Sequence, residues 1–382
     1  MGNGRKGKEK TNGMFDYTLL FIVLFLLCFG LVMLYSVSSY EANLKFGESA
    51  YYFKKQLFAT IIGLAVMIVV SLMNYHFWYK LAFPAYIVSA VLILLVLSPL
   101  GYEANGARRW LNLGVSLQPA EVAKVGMIIF FASVISFSGK KIQSLKSIVI
   151  TILMAAPIAG MILFITENLS SAIIVLCIVI MMIFVATPNY KEYFLIAAGL
   201  VAIAALVVLL VSKGVLPESM SYRFGRINAW LDPEKYASTT GFQTLQSLYA
   251  IGSGDLFGKG LGQSMQKLGF IPEAQNDMIF SIICEELGLF GAIAIIMMFL
   301  IMIWRFLIIA NNAPDQFGAL LVVGVMAHIS IQVILNIAVV TNTIPNTGIT
   351  LPFISYGGSS IVFLLAEIGL ALSVSRGIKL EN

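Results

Sequence analysis

Asp277 is the residue in this sequence best placed to do chemistry. It closes a polar, glycine-rich stretch that starts at Gly241, and it opens an apolar run carrying two further acids, Glu285 and Glu286. An ionisable group at the mouth of an apolar helix is costly unless it has a use. A carboxylate there can act as a general base and take a proton from a hydroxyl nucleophile. The same position also suits a helix N-cap, and the helix dipole would then lower the pKa and oppose a basic role. Burial or a neighbouring carboxylate, with Glu273 the nearest in sequence, would have to offset the dipole. On one continuous helix, Asp277, Ser281 and Glu285 would share a face.

A second group of charges precedes another apolar run. Glu121 and Lys124 are three residues apart, hence on one helix face, and in hydrocarbon they are expected to pair and point inward. Such a pair is either structural or a phosphate holder acting through Lys124. Arg108, Arg109 and Trp110 lie just before it. Two guanidiniums beside an indole suit a phosphate-bearing head group or a sugar face, and they equally suit an interfacial anchor. His76 and His328 are far apart, and Cys28, Cys177 and Cys284 sit in apolar runs, so neither a metal spacing nor a disulfide framework is expected.

These groups must be positioned by a membrane protein. The 382 residues are 59% hydrophobic and only 11% charged, against about 25% charged in soluble proteins, and the mean hydropathy is +0.92. That composition requires many spans. Ten are expected, near residues 15–36, 56–73, 77–98, 119–137, 146–165, 169–187, 190–212, 278–304, 316–340 and 358–375. The fifth and sixth are separated only by Thr166, Glu167 and Asn168, and the eighth could run longer. The expected fold is therefore an all-α integral membrane protein. Residues 15–382 form a single ten-span domain behind a basic tail, 1–14, with a large loop, 213–277, between the seventh and eighth spans. The net charge of +5 is scattered over loops and does not point to nucleic acid.

Lysine and arginine in short loops set the orientation. With the N-terminus inside, the inner segments hold Arg5, Lys6, Lys8, Lys10, Lys80, Lys140, Lys141, Lys146, Lys191, Arg305, Arg376 and Lys379, while short outer loops hold only Lys45, Lys54, Lys55, Arg108 and Arg109. Both termini are then cytoplasmic, and Asp277 lies outside. Three polar stretches face outward: Gly101 to Glu121, the long loop to Asp277, and Thr341 to Ser360. Glycine and proline are dense in all three, as in backbone that lines a wet cavity. The plainer alternative is three solvated connectors. Within the long loop, Phe242, Leu245, Leu248 and Tyr249 are spaced as an amphipathic helix, lying either on the bilayer or on the loop's own core.

The motifs are those of a known family. Pro272-Glu273-Ala274-Gln275-Asn276-Asp277-Met278-Ile279-Phe280, followed by Glu285-Glu286-Leu287-Gly288, resembles a signature of the SEDS family (shape, elongation, division and sporulation; the FtsW/RodA/SpoVE group). Asn105 to Trp110 with Gln118, Pro119, Ala120, Glu121 and Lys124 resembles a second, and Arg223, Arg226 and Asp232-Pro233 a third. Gln243, Gln246-Ser247 and Gly252-Ser253-Gly254 match another run. Leu351 to Ser360, LPFISYGGSS, is close to the family's most recognisable string. Leu34-Tyr35-Ser36 leans to the division and sporulation branch. The sequence departs at Asn168, where many members have aspartate, at Asn276 and Met278 around the key aspartate, and at Asp255, where glycine is common.

The resemblance implies a peptidoglycan glycosyltransferase of the bacterial cytoplasmic membrane, polymerising lipid II on the outer face beside a class B penicillin-binding protein and surrounded by membrane lipids. It assigns Asp277 the catalytic role. Substrate-binding positions are then Arg108, Arg109, Trp110, Gln118, Glu121, Lys124, Arg223, Arg226, Gln243, Glu273, Ser355, Tyr356, Gly357, Gly358 and Ser359. No cofactor is required. A divalent cation, magnesium or manganese, could bridge the diphosphate, although the sequence shows no dedicated metal site. Two rivals stand beside this reading: a lipid II flippase, which would want ionisable groups near the midplane, and a non-catalytic scaffold for a penicillin-binding protein.

Overall fold

The computed structural model describes residues 15–104, 107–114, 116–187, 198–199, 202, 205–213 and 222–378. The basic tail, most of the seventh expected span and the start of the large loop lie outside these residues. Among those described, eight helices are long and apolar enough to cross a membrane. They are α1 (Tyr17–Phe46), α2 (Tyr51–Leu72), α5 (Pro119–Ser138), α6 (Leu145–Phe164), α7 (Leu169–Ala186), α10 (Ile279–Asn311), α11 (Gln316–Val340) and α12 (Gly358–Gly377). The third expected span is instead two pieces, α3 (His76–Lys80) and α4 (Ala82–Leu95). The latter is shorter than the ~20 residues that cross a bilayer unaided.

Local chemistry sets the ends. Asp16 caps α1 by accepting the Leu19 N–H, and Arg305 pairs with the same carboxylate at 2.7 Å. Asn168, at the family's departed position, caps α7 through the Ser171 N–H at 3.0 Å and thereby splits it from α6. Pro119 opens α5, where a missing N–H costs nothing.

At the centre of the bundle is α11, buried against α5, α7, α10 and α12. Along its length α12 packs on α2, with Gly369 close to the Met67 carbonyl. In the first polar stretch the chain forms a small antiparallel sheet not expected from sequence: β1 (Gly101–Ala104), β2 (Ala107–Asn112) and β3 (Ser116–Leu117).

The eighth span carries the most unusual backbone. α10 breaks at Gly288, whose φ of 67° and ψ of −167° are not helical. A loop segment repairs the break. The N–H groups of Lys259 and Gly260 donate to the carbonyls of Glu285 and Glu286, each at 2.9 Å, and those of Leu289 and Phe290 donate to Asp255 and Leu256 at 2.9 and 3.2 Å. The approach is so close that a Cβ on Gly288 would sit 2.4 Å from the Gly258 nitrogen. Side chains complete the anchor. Lys259 pairs with Glu285 and Lys267 with Glu286, both at 2.7 Å, and Ser36 of α1 also donates to Glu286.

Before this loop come α8 (Tyr222–Leu231) and α9 (Phe242–Ser253). The amphipathic helix expected from Gly241 is α9, but its buried face is Thr244, Ser247 and Ala250, packed on α10, while Tyr249 is exposed. Small residues let the two helices approach, so its buried face packs on a spanning helix and not on a loop core of its own.

Candidate functional site

The three polar stretches converge. They line one cavity of about 940 Å³, with Tyr102, Arg109, Trp110, Gln118 and Glu121 from the first, Arg226, Gln243, Glu273 and Asp277 from the second, and Asn346, Gly348, Tyr356, Gly357, Gly358 and Ser360 from the third. They are walls of a single site and not independent solvated connectors.

Asp277 is not a helix cap. The helix begins at Ile279 behind Met278, and no side chain caps it. The Asp277 carboxylate instead accepts one long bond from Gln243 Nε2, at 3.4 Å. Its position is held through the backbone: Asn336 of α11 donates to the Asp277 carbonyl at 2.8 Å and to the Ile349 carbonyl at 2.7 Å, joining two walls. Burial pushes the Asp277 carboxyl up to about 6 and Glu273 pushes the same way, while its own backbone N–H, Arg226 and Gln243 pull back. The expected face shared with Ser281 and Glu285 is not built. Asp277 precedes the helix, Ser281 bonds the Met278 carbonyl, and Glu285 turns to Lys259 and Ser264.

Neighbouring arginines separate because strand side chains alternate. Arg109 lines the cavity, with Nη2 3.4 Å from the Glu167 carbonyl and its Nε buried and unpartnered. Arg108 lies off the cavity and ties the sheet together by donating to the Gly101 carbonyl at 2.9 and 3.1 Å. Lys124 is also behind the wall: only 1% exposed, it pairs with Glu121 at 2.8 Å. Glu121 itself reaches the cavity and accepts the Ser360 hydroxyl at 2.9 Å. Arg223 belongs to α8, but its side chain lies outside the described residues.

The last string works mostly through its backbone. Ser355 Oγ accepts the Leu351 N–H at 2.9 Å, making a turn that sets the next residues. The Tyr356 N–H donates to the Gln275 carbonyl, and the Gly357 N–H donates to Gln56 Oε1. The Tyr356 ring meets the edge of Tyr52, and burial pushes its hydroxyl up to about 12, so it stays a donor. Ser359 Oγ is buried and unpartnered, off the cavity. Glu273 lines the cavity at a positive φ of 50° and accepts from Asn276.

Several lining residues were not singled out from sequence, among them Tyr52, Tyr102, Glu167, Gln275, Asn346 and Thr350. Asn346, Thr347, Gly348 and Thr350 lay within a stretch marked as polar and glycine-rich. Nothing local marked Tyr52, the second residue of α2, beside Lys54 and Lys55. As for a bridging metal, no three His, Cys, Asp or Glu side chains gather in a metal-holding group among the described residues.

A multi-helix membrane architecture of this kind is also found in solved proteins. A peptidoglycan synthase complex, described as coordinating polymerization and crosslinking, matches over 95% of this chain and 98% of its own with 28% identity and a TM-score of 0.77. Thermus thermophilus rod shape determining protein RodA matches over 96% and 98%, with 26% identity and a TM-score of 0.69. The family described as cell cycle protein, FtsW/RodA/SpoVE, matches residues 17–380. Stage V sporulation protein E of Bacillus subtilis is 39% identical over 94% of this chain and 97% of its own. The probable peptidoglycan glycosyltransferase FtsW of Trichlorobacter lovleyi is 38% identical over 96% and 94%. The chain belongs to the FtsW/RodA/SpoVE family of multi-pass membrane proteins.

Proposed function

We propose that this chain, a peptidoglycan glycosyltransferase by family, polymerises lipid II on the outer face of the bacterial cytoplasmic membrane, with both termini cytoplasmic. The observation that carries the reading is Asp277 itself. It is a half-buried carboxylate with no ion pair among the described residues, on the wall of a cavity whose other walls carry Arg109 and Arg226. In the proposed step Asp277 takes the proton of the acceptor 4-hydroxyl. The acceptor oxygen bonds to the donor anomeric carbon with inversion, and the carbon–oxygen bond to the diphosphate breaks, the electron pair leaving with it. Diphosphate is a good leaving group and needs charge compensation more than an acid. Arg109, with its unpartnered Nε, and Arg226 supply it. A divalent cation, when bound, would add charge compensation at the diphosphate.

Protein partners are read the same way. The likeness to a synthase complex supports work beside a class B penicillin-binding protein, and the likeness to SpoVE and FtsW supports a division or sporulation role. A carrier would want unbound ionisable groups near the midplane, whereas Glu285, Glu286 and Glu367 are each held by Lys259, Lys267 and His328. The test is polymerisation of purified lipid II by wild type and by Asp277→Ala, each with and without a class B penicillin-binding protein whose transpeptidase is blocked. Glycan from wild type and none from the variant is expected. Full activity in Asp277→Ala would remove the base, and no polymer under any condition would turn attention to the flippase or the scaffold.

A further inference from the structure

Among the described residues the carboxylate of Asp277 takes one side-chain hydrogen bond, from Gln243, and the direction of that donor is set from elsewhere. The Gly348 N–H donates to Asn346 Oδ1 at 2.9 Å. This turn fixes the Asn346 amide, so its Nδ2 faces Gln243 and donates to Gln243 Oε1 at 3.0 Å. Gln243 must then present Nε2 to its other neighbours, Asp277 Oδ1 at 3.4 Å and the Pro272 carbonyl at 3.1 Å. With the Gln243 amide reversed, its oxygen would face a carboxylate and a carbonyl, and the Asn346 donor would meet an NH2 group. The Asn346 backbone is anchored too, because Arg226 Nη1 donates to its carbonyl at 3.2 Å. α8 and this loop are further joined by Trp230 Nε1 to the Asn342 carbonyl at 2.9 Å and Asn342 Nδ2 to the Trp230 carbonyl at 3.3 Å.

We infer that Asn346 is a positioning residue: it dictates which end of the Gln243 amide meets Asp277, and so holds Oδ1 in a hydrogen bond and leaves Oδ2 for the acceptor hydroxyl. The inference rests on the reading of Asp277 as the base. Asn346 itself lines the cavity wall, but its action on Asp277 runs through Gln243. Among the described residues the charged groups that act on Asp277 are Glu273 and Arg226, and neither is altered by the variants below.

Two substitutions keep the local turn. Asn346→Ser retains an oxygen for the Gly348 N–H, as serine does in such turns, but is too short to reach Gln243. Asn346→Asp retains both the acceptor and the reach but lacks the donor, and it invites Gln243 to reverse. Initial rates of glycan formation from lipid II, with the full chain and its penicillin-binding partner, are measured against pH and substrate concentration. For Asn346→Ser, the expected result is an acid limb moved up by about one pH unit, so that kcat is roughly tenfold lower on the acid limb and about twofold lower near pH 7, with recovery at higher pH and KM within about twofold of wild type. Asn346→Asp is expected to move the limb further. A wild-type acid limb in both variants, or a loss confined to KM, overturns the inference. Asp277→Ala is run alongside. If it polymerises like wild type, the base reading fails with everything built on it; if it is inactive while both Asn346 variants match wild type, only the positioning role fails.

Discussion

Asp277 and the Glu285–Glu286 pair lie within three turns of one another on the same segment, and their surroundings are opposite. Glu285 and Glu286 are fully buried. Each holds a lysine at 2.7 Å, and Ser36, Ser264 and the Met265 N–H add further bonds. Asp277 is half-buried and faces a cavity, and among the described residues it has one long side-chain donor and no cation at bonding distance. Carboxylates saturated with donors hold a fold together, because their charge is already answered. A carboxylate left under-answered at a cavity wall has basicity to offer. The contrast separates architecture from chemistry among acids whose sequence neighbourhoods look alike.

The same isosteric change should therefore act in opposite ways at the two places. Asp277→Asn is expected to lower lipid II polymerisation by roughly 10²- to 10⁴-fold, the worth of a general base. Heat stability at neutral pH should not fall. The folded protein holds the Asp277 proton more tightly than the unfolded chain, about 6 against 3.8, so the ionised form works against folding above that range and the neutral amide relieves it. In wild type the same shift sets the rate profile: activity is flat above about pH 6 and falls roughly tenfold per unit below it as the base is protonated. A flat acid limb would break the comparison.

Glu286→Gln should instead destabilise, by about 3–5 kcal/mol, because Lys267 is left as a buried charge without its partner. Thermal unfolding in detergent measures it, and the double change with Lys267→Met should recover most of the loss. Gly288→Ala gives the smallest effect, about 1–3 kcal/mol, from a positive φ and a crowded Cβ. An unchanged melting temperature in Gly288→Ala would show that the loop yields at that point.

Long apolar runs made most of the helices readable, and Asn168 and Asp16 ended two of them in ways a capping rule describes. α3 and α4 departed from a single span because the chain turns at Leu81, a boundary marked in the sequence only by Pro84 in the first turn of α4. Asp277 was visible as an acid at an apolar boundary, yet its cap reading failed because the helix starts two residues later. Arg108 and Arg109 could not be told apart until a strand put them on opposite faces. Lys124 pairs with Glu121 as expected, and its burial decides between the two readings of that pair in favour of the structural one. What stayed illegible was convergence: that Tyr52, Gln275 and Asn346 meet around one cavity depends on contacts between residues hundreds of positions apart.

The break at Gly288 has a consequence for how the protein is made. A membrane helix normally leaves the insertion machinery with its backbone already bonded to itself. Leu289 to Asn311 fits that description, reaching roughly 35 Å at 1.5 Å per residue. The segment from Ile279 to Leu287 does not, since its terminal carbonyls are answered only by Lys259 and Gly260. Those carbonyls are answered only when residues 255–260 fold back onto the helix, a tertiary step distinct from insertion, so lesions in that loop are expected to lower stability more than they lower insertion.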